Sequence, residues 1–263
     1  MSMGTVFGVG LGPGDPDLMS VRADRLLRGA KHVAFFRKAG RPGQARRIVE
    51  GLLPDTAVEF PMEYPVTTEI PLTDPRYNEV LSAFYADCTA HLRALAEGGE
   101  NIVVLCEGDP FFYGSFMHLY TRLKHRIPVE VVPAITGMSG AWTATGAPVT
   151  WGDDILTVLM GTLDEDTLAA RMGDADALVV MKIGRNIDKV RNALRRAGKY
   201  EDAYLIEYAT MPTQSVQLLS EAEGKVTPYF SIIVVHGQGG DDVAHAGDVR
   251  GGAGDPLSDG RSV

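Results

Sequence analysis

Three glycine-bearing segments hold most of the residues whose types and spacing could do chemistry: residues 8–15 (GVGLGPGD), 107–115 (EGDPFFYGS) and 133–140 (PAITGMSG). Dense glycine lets backbone approach a ligand or a neighbouring strand closely, and both readings are open for the first segment. That segment is not a dinucleotide fingerprint, because Pro13 stands where the pattern needs glycine three places after Gly10. Nor is it a nucleotide-phosphate loop, which ends in lysine and then serine or threonine, since the first lysine is Lys31. The third segment reads G-M-S-G where a serine-hydrolase elbow would read G-x-S-x-G. A fourth feature is charge: Lys31, Arg37, Lys38, Arg41, Arg46 and Arg47 fall between positions 31 and 49 with no acid among them. Arginines grouped in this way suit bidentate capture of carboxylates, with a solvated surface as the alternative. The histidines show no metal-ligand spacing and no metal site is expected; Cys88 and Cys106 are expected as buried small apolar residues.

The elements that must position these segments follow from periodicity. Short apolar runs at 5–11, 32–36, 57–61, 101–106 and 129–132 read as strands, and helical spacing follows at 18–27, 45–53, 75–96 and 110–124. The glycine segments at 107 and 133 thus lie at carboxyl ends of strands, where open α/β sheets bind ligands. Later strands are expected at 155–160, 177–181, 203–208 and 230–235, and helices at 168–172 and 187–196. The alternation predicts an α/β chain in two lobes, 1–150 and 151–237. From 237 onward eight of 27 residues are glycine, without sustained apolar period, so 238–263 is expected to be a disordered tail.

The whole chain has 263 residues, with 34 acids against 25 bases and a formal charge of −9. That balance argues against an extended polyanion or an anionic membrane as partner. Two cysteines form no disulfide framework, no targeting signal opens the chain, and no apolar run is long enough for a membrane span, so a cytoplasmic location is expected.

Taken in order, GVGLGPGDPDLMSVRA, CEGDPFFYGS, VVPAITGMSG, VVMKIGRN, IEYATMPTQ and YFSIIVVHG resemble the tetrapyrrole methylase family of S-adenosylmethionine-dependent methyltransferases. The resemblance covers roughly residues 3–237. Within the family, YPVTTEIPLTDPRYNEV and EGDPFFYGSFMHLYTRL are most similar to members that methylate precorrin-2 at C20 in cobalamin biosynthesis. The resemblance implies two α/β lobes with the cofactor cleft between them, S-adenosylmethionine as methyl donor, a tetrapyrrole substrate and a homodimer. Carried over by position, Pro13, Glu107, Gly108, Asp109, Phe112, Thr136, Gly137, Met181, Ala209 and Ile232 fall where the family contacts S-adenosylmethionine. Ala134 departs from the glycine many relatives carry in this loop.

The chemistry so implied is an in-line displacement needing no covalent enzyme nucleophile, and later loss of a proton from carbon. Asp15 and Tyr113 are the candidate catalytic residues for that proton, with Glu107 a third; Asp15 also reads as a turn or helix cap, and Tyr113 as apolar packing. Asp109 is expected to fix polar groups of the cofactor or to cap the next helix. Arg37, Arg41 and Arg46 are candidate ligands for the substrate's peripheral carboxylates. Alternatives are the cobalt-containing substrate, RNA or protein methylation on the same fold, and a non-catalytic tetrapyrrole carrier.

Overall fold

A computed structural model describes residues 2–65 and 75–239. All but the first two residues of the expected tail, and part of the YPVTTEIPLTDPRYNEV segment, lie outside the described residues. The chain falls into two compact units: one runs to Ala144 and takes back Glu207–Ser215, the other holds Thr145–Ile206 and resumes at Val216.

The first unit contains β1 (Val6–Gly10), α1 (Val21–Arg28), β2 (His32–Lys38), α2 (Gln44–Ile48) and β3 (Val58–Tyr64). It continues with α3 (Pro75–Glu97), β4 (Ile102–Cys106), α4 (Phe116–Leu123), β5 (Val129–Val132) and α5 (Gly137–Ala144). The five strands form one sheet in the order β3-β2-β4-β1-β5, parallel throughout. All five residues of β4 are buried, as its unbroken β-branched and apolar run requires of a strand covered on both faces. Alternation then divides it. Ile102, Val104 and Cys106 pack with Leu92 of α3 and Phe116 of α4. Val103 and Leu105 pack with Leu27 of α1 and Ile48 of α2.

Gly8 shows why β1 is glycine-rich. A Cβ there would lie 2.3 Å from the Phe116 ring, so the strand dispenses with a side chain to let α4 sit against the sheet. Ser20 caps α1 by accepting the Ala23 N–H at 3.1 Å.

The second unit contains β6 (Leu156–Met160), α6 (Glu165–Gly173), β7 (Ala177–Met181), α7 (Ile187–Arg196) and β10 (Ser231–Val235), together with β8 (Ala203–Glu207) and β9 (Ser215–Leu218) except for their end residues Glu207 and Ser215. Its sheet runs β6-β7-β10-β8-β9, with β6 parallel and β10 antiparallel to β7. The core joins Leu168 and Met172 of α6, Val190 and Leu194 of α7, and Val180, Leu205 and Ile233 from the sheet. His236 is structural: Nδ1 lies 2.8 Å from the Pro148 carbonyl and Nε2 lies 2.8 Å from Thr145 Oγ1.

Three expectations change. The helix expected from 110 starts at Phe116, because Tyr113 takes φ +54° and breaks the helical path. α5 and β9 were not expected. α5 carries two glycines, which hide a helix from propensity, and the SVQL run of β9 is half-buried without clear alternation. Among the described residues no helix is long and apolar enough to cross a membrane.

Candidate active site

The three glycine segments leave the carboxyl ends of β1, β4 and β5, which are adjacent and parallel, so all three open on one edge of the sheet. They are joined by backbone. Gly108 donates its N–H to the Gly12 carbonyl at 2.9 Å, and Leu11 donates to the Cys106 carbonyl at 2.9 Å. A Cβ on Gly10 would lie 2.6 Å from Ala134 Cβ and 2.8 Å from the Gly108 carbonyl oxygen. Gly8, Gly10, Gly12, Pro13 and Gly14 are all buried. In this unit Gly8, Gly10 and Gly14 therefore serve close packing, against Phe116, Ala134 and Met211, and the half-buried surface at the edge comes from Gly108, Asp109, Thr136 and Gly137.

Asp109 is the tie between the second and third loops. One carboxylate oxygen accepts the Phe111 N–H at 2.8 Å and the other accepts the Ala134 N–H at 2.9 Å. It caps no helix, since the N-cap of α4 is Ser115, without a side-chain bond. Gly108 sits at φ +63°, a conformation that disfavours any side chain. Thr136 precedes α5; its carbonyl accepts the Ser139 N–H at 3.1 Å. Phe112 is half-buried, edge-on to Tyr113 with ring centroids 4.9 Å apart.

Glu107 closes β4 and reaches sideways: its carboxylate accepts the Ala45 N–H of α2 at 3.2 Å. Burial pushes its carboxyl up to about 7, with the Ala45 hydrogen bond opposing in part. Burial and the nearby Glu107 and Asp109 carboxyls push the Cys106 thiol up as well, and with no lowering partner of comparable effect it is inert at neutral pH.

Of the two candidate catalytic residues, Asp15 uses its carboxylate to accept the Asp17 N–H at 2.9 Å, capping a single 3-10 turn over Pro16–Leu18. Tyr113 is 45% exposed at the rim. Phe111 is exposed to the same degree and packs edge-on against Tyr120 at 4.7 Å. Arg37 lies within β2, just beyond the run 32–36 expected as that strand, and donates to Glu63 of β3 at 2.6 Å; Arg46, on α2, donates to Glu59 at 2.8 Å. Arg41 is exposed in the connecting turn.

Ala209 belongs to the returning segment of the first unit, where its carbonyl oxygen lies 3.4 Å from the place of a Gly14 Cβ. Met181 and Ile232 belong to the second unit; the antiparallel register Ile233↔Val180 sets Ile232 level with Met181. The Met181 carbonyl accepts the Gly161 N–H at 2.7 Å. The structure thus gathers eight of the positions in the first unit and two in the second.

Thr210 is a residue that sequence reasoning passed over. Its hydroxyl accepts the Asp15 N–H at 3.1 Å, its own N–H goes to Gln214 Oε1 at 2.7 Å, and its φ is +66°. The other positive-φ residues besides glycine are Tyr113, Lys182 and Tyr208 among those described. All four stand in or beside the loops that carry candidate residues, the kind of place where strain of about 1–3 kcal/mol is held by its surroundings. The only signal for Thr210 was its place inside the IEYATMPTQ run.

Comparison with known proteins bears on this arrangement. The model of a family described as Tetrapyrrole (Corrin/Porphyrin) Methylases matches residues 5–223. The Precorrin-2 C(20)-methyltransferase of a Sinorhizobium species is 46% identical over 237 residues, 90% of this chain and 97% of that one. The Cobalt-precorrin-2 C(20)-methyltransferase of Salmonella typhimurium is 27% identical, over 89% of this chain and 97% of that one. Among solved structures, Uroporphyrin-III C-methyl transferase from Thermus thermophilus complexed with S-adenosyl homocysteine aligns with a TM-score of 0.61 and 25% identity. That alignment covers 89% of this chain and 92% of the other.

Proposed function

The chain belongs to the tetrapyrrole methylase family, and from that premise we propose that it methylates precorrin-2 at C20 with S-adenosylmethionine as donor. The products are precorrin-3A and S-adenosylhomocysteine, and the reading places a homodimer in the cytoplasm. The observation that carries it is the 46% identity to a precorrin-2 C20-methyltransferase along nearly the whole of both chains. The cobalt-containing substrate is less favoured, its enzyme being 27% identical.

S-adenosylmethionine supplies an electrophilic methyl group on a sulfonium. The chain's own part is to hold and orient. Backbone at Gly108, Thr136 and Gly137, half-buried at the carboxyl edge, suits a ligand that must lie close to main chain. With Glu107, Asp109, Phe112, Ala209 and the buried Pro13, it forms the proposed donor contacts of the first unit; Met181 and Ile232 are the proposed donor contacts of the second. Orientation of donor and acceptor contributes about 7 kcal/mol or more in well-aligned reactions.

Charge placement fits this chemistry. A carboxylate against a sulfonium stabilises the ground state more than the transition state, where that charge disperses. Asp109 has both oxygens engaged by backbone N–H groups, and burial raises the Glu107 carboxyl to about 7, so that it is only partly ionised at neutral pH. Asp109 is therefore not a bare anion, and Glu107 carries a full charge only above its raised value. As the new carbon–carbon bond forms, the carbon–sulfur bond breaks with its electrons going to sulfur. The proton on C20 then leaves to a base, for which Asp15 and Tyr113 at the rim are the proposed acceptors. Arg37, Arg41 and Arg46 are the proposed ligands of peripheral carboxylates.

The test is anaerobic incubation of the purified protein with methyl-labelled S-adenosylmethionine and either metal-free precorrin-2 or cobalt-factor II. Label should enter the metal-free substrate. Transfer only to the cobalt compound overturns the substrate assignment, and transfer to neither overturns the enzyme reading.

A further inference from the structure

Away from the carboxyl edge, α3 and α4 leave a concavity of about 680 Å³, within the size range of small-molecule sites. Its polar lining is Thr89, Arg93, Thr121, Arg122, His125 and Arg126. Positions 86, 89, 90 and 93 recur at helical spacing on α3, and Ala86 and Ala90 leave the room the cavity occupies. The opposite wall is the last turn of α4 and the residues that follow it.

Among the described residues no acid is part of the lining, in a chain whose formal charge is −9. Glu97 pairs with Arg93, its oxygen 3.4 Å from Nε, and like Asp87 of α3 it is outside the lining. Arg93 Nε is buried and forms no hydrogen bond. Arg122 is held in place: it donates to the His118 carbonyl at 2.8 Å and lies 5.6 Å from the centre of the Tyr85 ring. The hydroxyls of Thr89 and Thr121 are already donating to the carbonyls of Tyr85 and His118. Recognition in this cavity is therefore left to the guanidinium groups and the His125 ring.

Three guanidinium groups lining one hollow repel one another, and an anion among them relieves that repulsion while filling their open donors. Cations at a helix carboxyl terminus also suit the helix dipole, which accounts for Arg122 but not for Arg93 on the facing helix. We propose that the α3–α4 concavity binds a small polyanion bearing phosphate or carboxylate groups through Arg93, Arg122 and Arg126. It is a site separate from the residues assigned to methyl transfer.

Isothermal titration of the full chain at low ionic strength, with inorganic pyrophosphate in one arm and citrate in the other, tests it. Saturable one-to-one binding of at least one is expected, weakening steeply with salt. The Arg93→Gln/Arg126→Gln variant should bind at least ten-fold more weakly, and Arg37→Gln/Arg46→Gln should bind as the parent does. If the first variant melts early, Arg126→Gln alone serves, its side chain being exposed, and should weaken binding several-fold. No binding in either arm overturns the proposal. So does binding that survives loss of Arg126, or that disappears with Arg37 and Arg46.

Discussion

The Asp109 carboxylate accepts the Ala134 N–H at 2.9 Å across 25 positions of sequence, so one side chain of the β4 loop fixes the backbone of the β5 loop. Asp109→Ala leaves that N–H and the Phe111 N–H without their acceptor. The expected cost is about 1–3 kcal/mol in stability, with weakened S-adenosylmethionine binding. Asp109→Asn keeps one acceptor oxygen and should fall between. Thermal melts and cofactor titration check both.

Gly8→Ala places a methyl 2.3 Å from the Phe116 ring. Overpacking of this kind costs about 1–3 kcal/mol. Phe116→Leu alone also destabilises, but the double variant should lose less than the sum, giving a coupling that a denaturant-based double-mutant cycle would measure. Strict additivity would mean that the contact does not decide why position 8 is glycine.

Glu107 ionises in the unfolded chain near its ordinary 4.5 and in the folded chain at about 7. Between those values the folded protein keeps a proton that the unfolded chain has released. Stability therefore falls as pH rises across the interval, by on the order of 3 kcal/mol in all. Glu107→Gln retains an acceptor for the Ala45 N–H but cannot ionise. It should flatten the melting temperature between pH 5 and 8 and melt higher than the parent at pH 8.

Replacing Arg37, Arg41 and Arg46 together by glutamine should raise the KM for the tetrapyrrole several-fold and leave S-adenosylmethionine binding unchanged. The ion pairs lost, to Glu63 and Glu59, are partly exposed and worth about 0–1 kcal/mol each, so melting should barely move. Unchanged KM would remove these arginines from substrate binding.

Sequence pattern carried the sheets well where local chemistry decides them. The NIVVLC run and the Gly98-Gly99 stop after α3 are signals of a few residues, and Ala177–Met181 and Ile187–Arg196 have the expected bounds. Pattern failed where the deciding partner is remote. Nothing near Gly8 in sequence announces Phe116, and nothing near Asp15 announces Thr210. The glycines of the first segment could be read as ligand-facing or as packing. Only the Ala134 and Gly108 contacts at Gly10 decide that in this unit they pack. Asp109 likewise offered two roles, a helix cap or a cofactor contact; it does not cap α4, and its carboxylate also laces two loops together.

The return of Glu207–Ser215 to the first unit means that the chain crosses between units three times, after Ala144, after Ile206 and after Ser215. No single cut yields two whole pieces. A gene fragment ending at residue 144 would encode all of β1 to α5 yet leave the Asp15 N–H without the Thr210 hydroxyl and Gly14 without Met211 packed over it. The first unit could be inherited, duplicated or swapped whole only together with a loop carried inside the second unit's stretch of sequence, which ties the two into one heritable module.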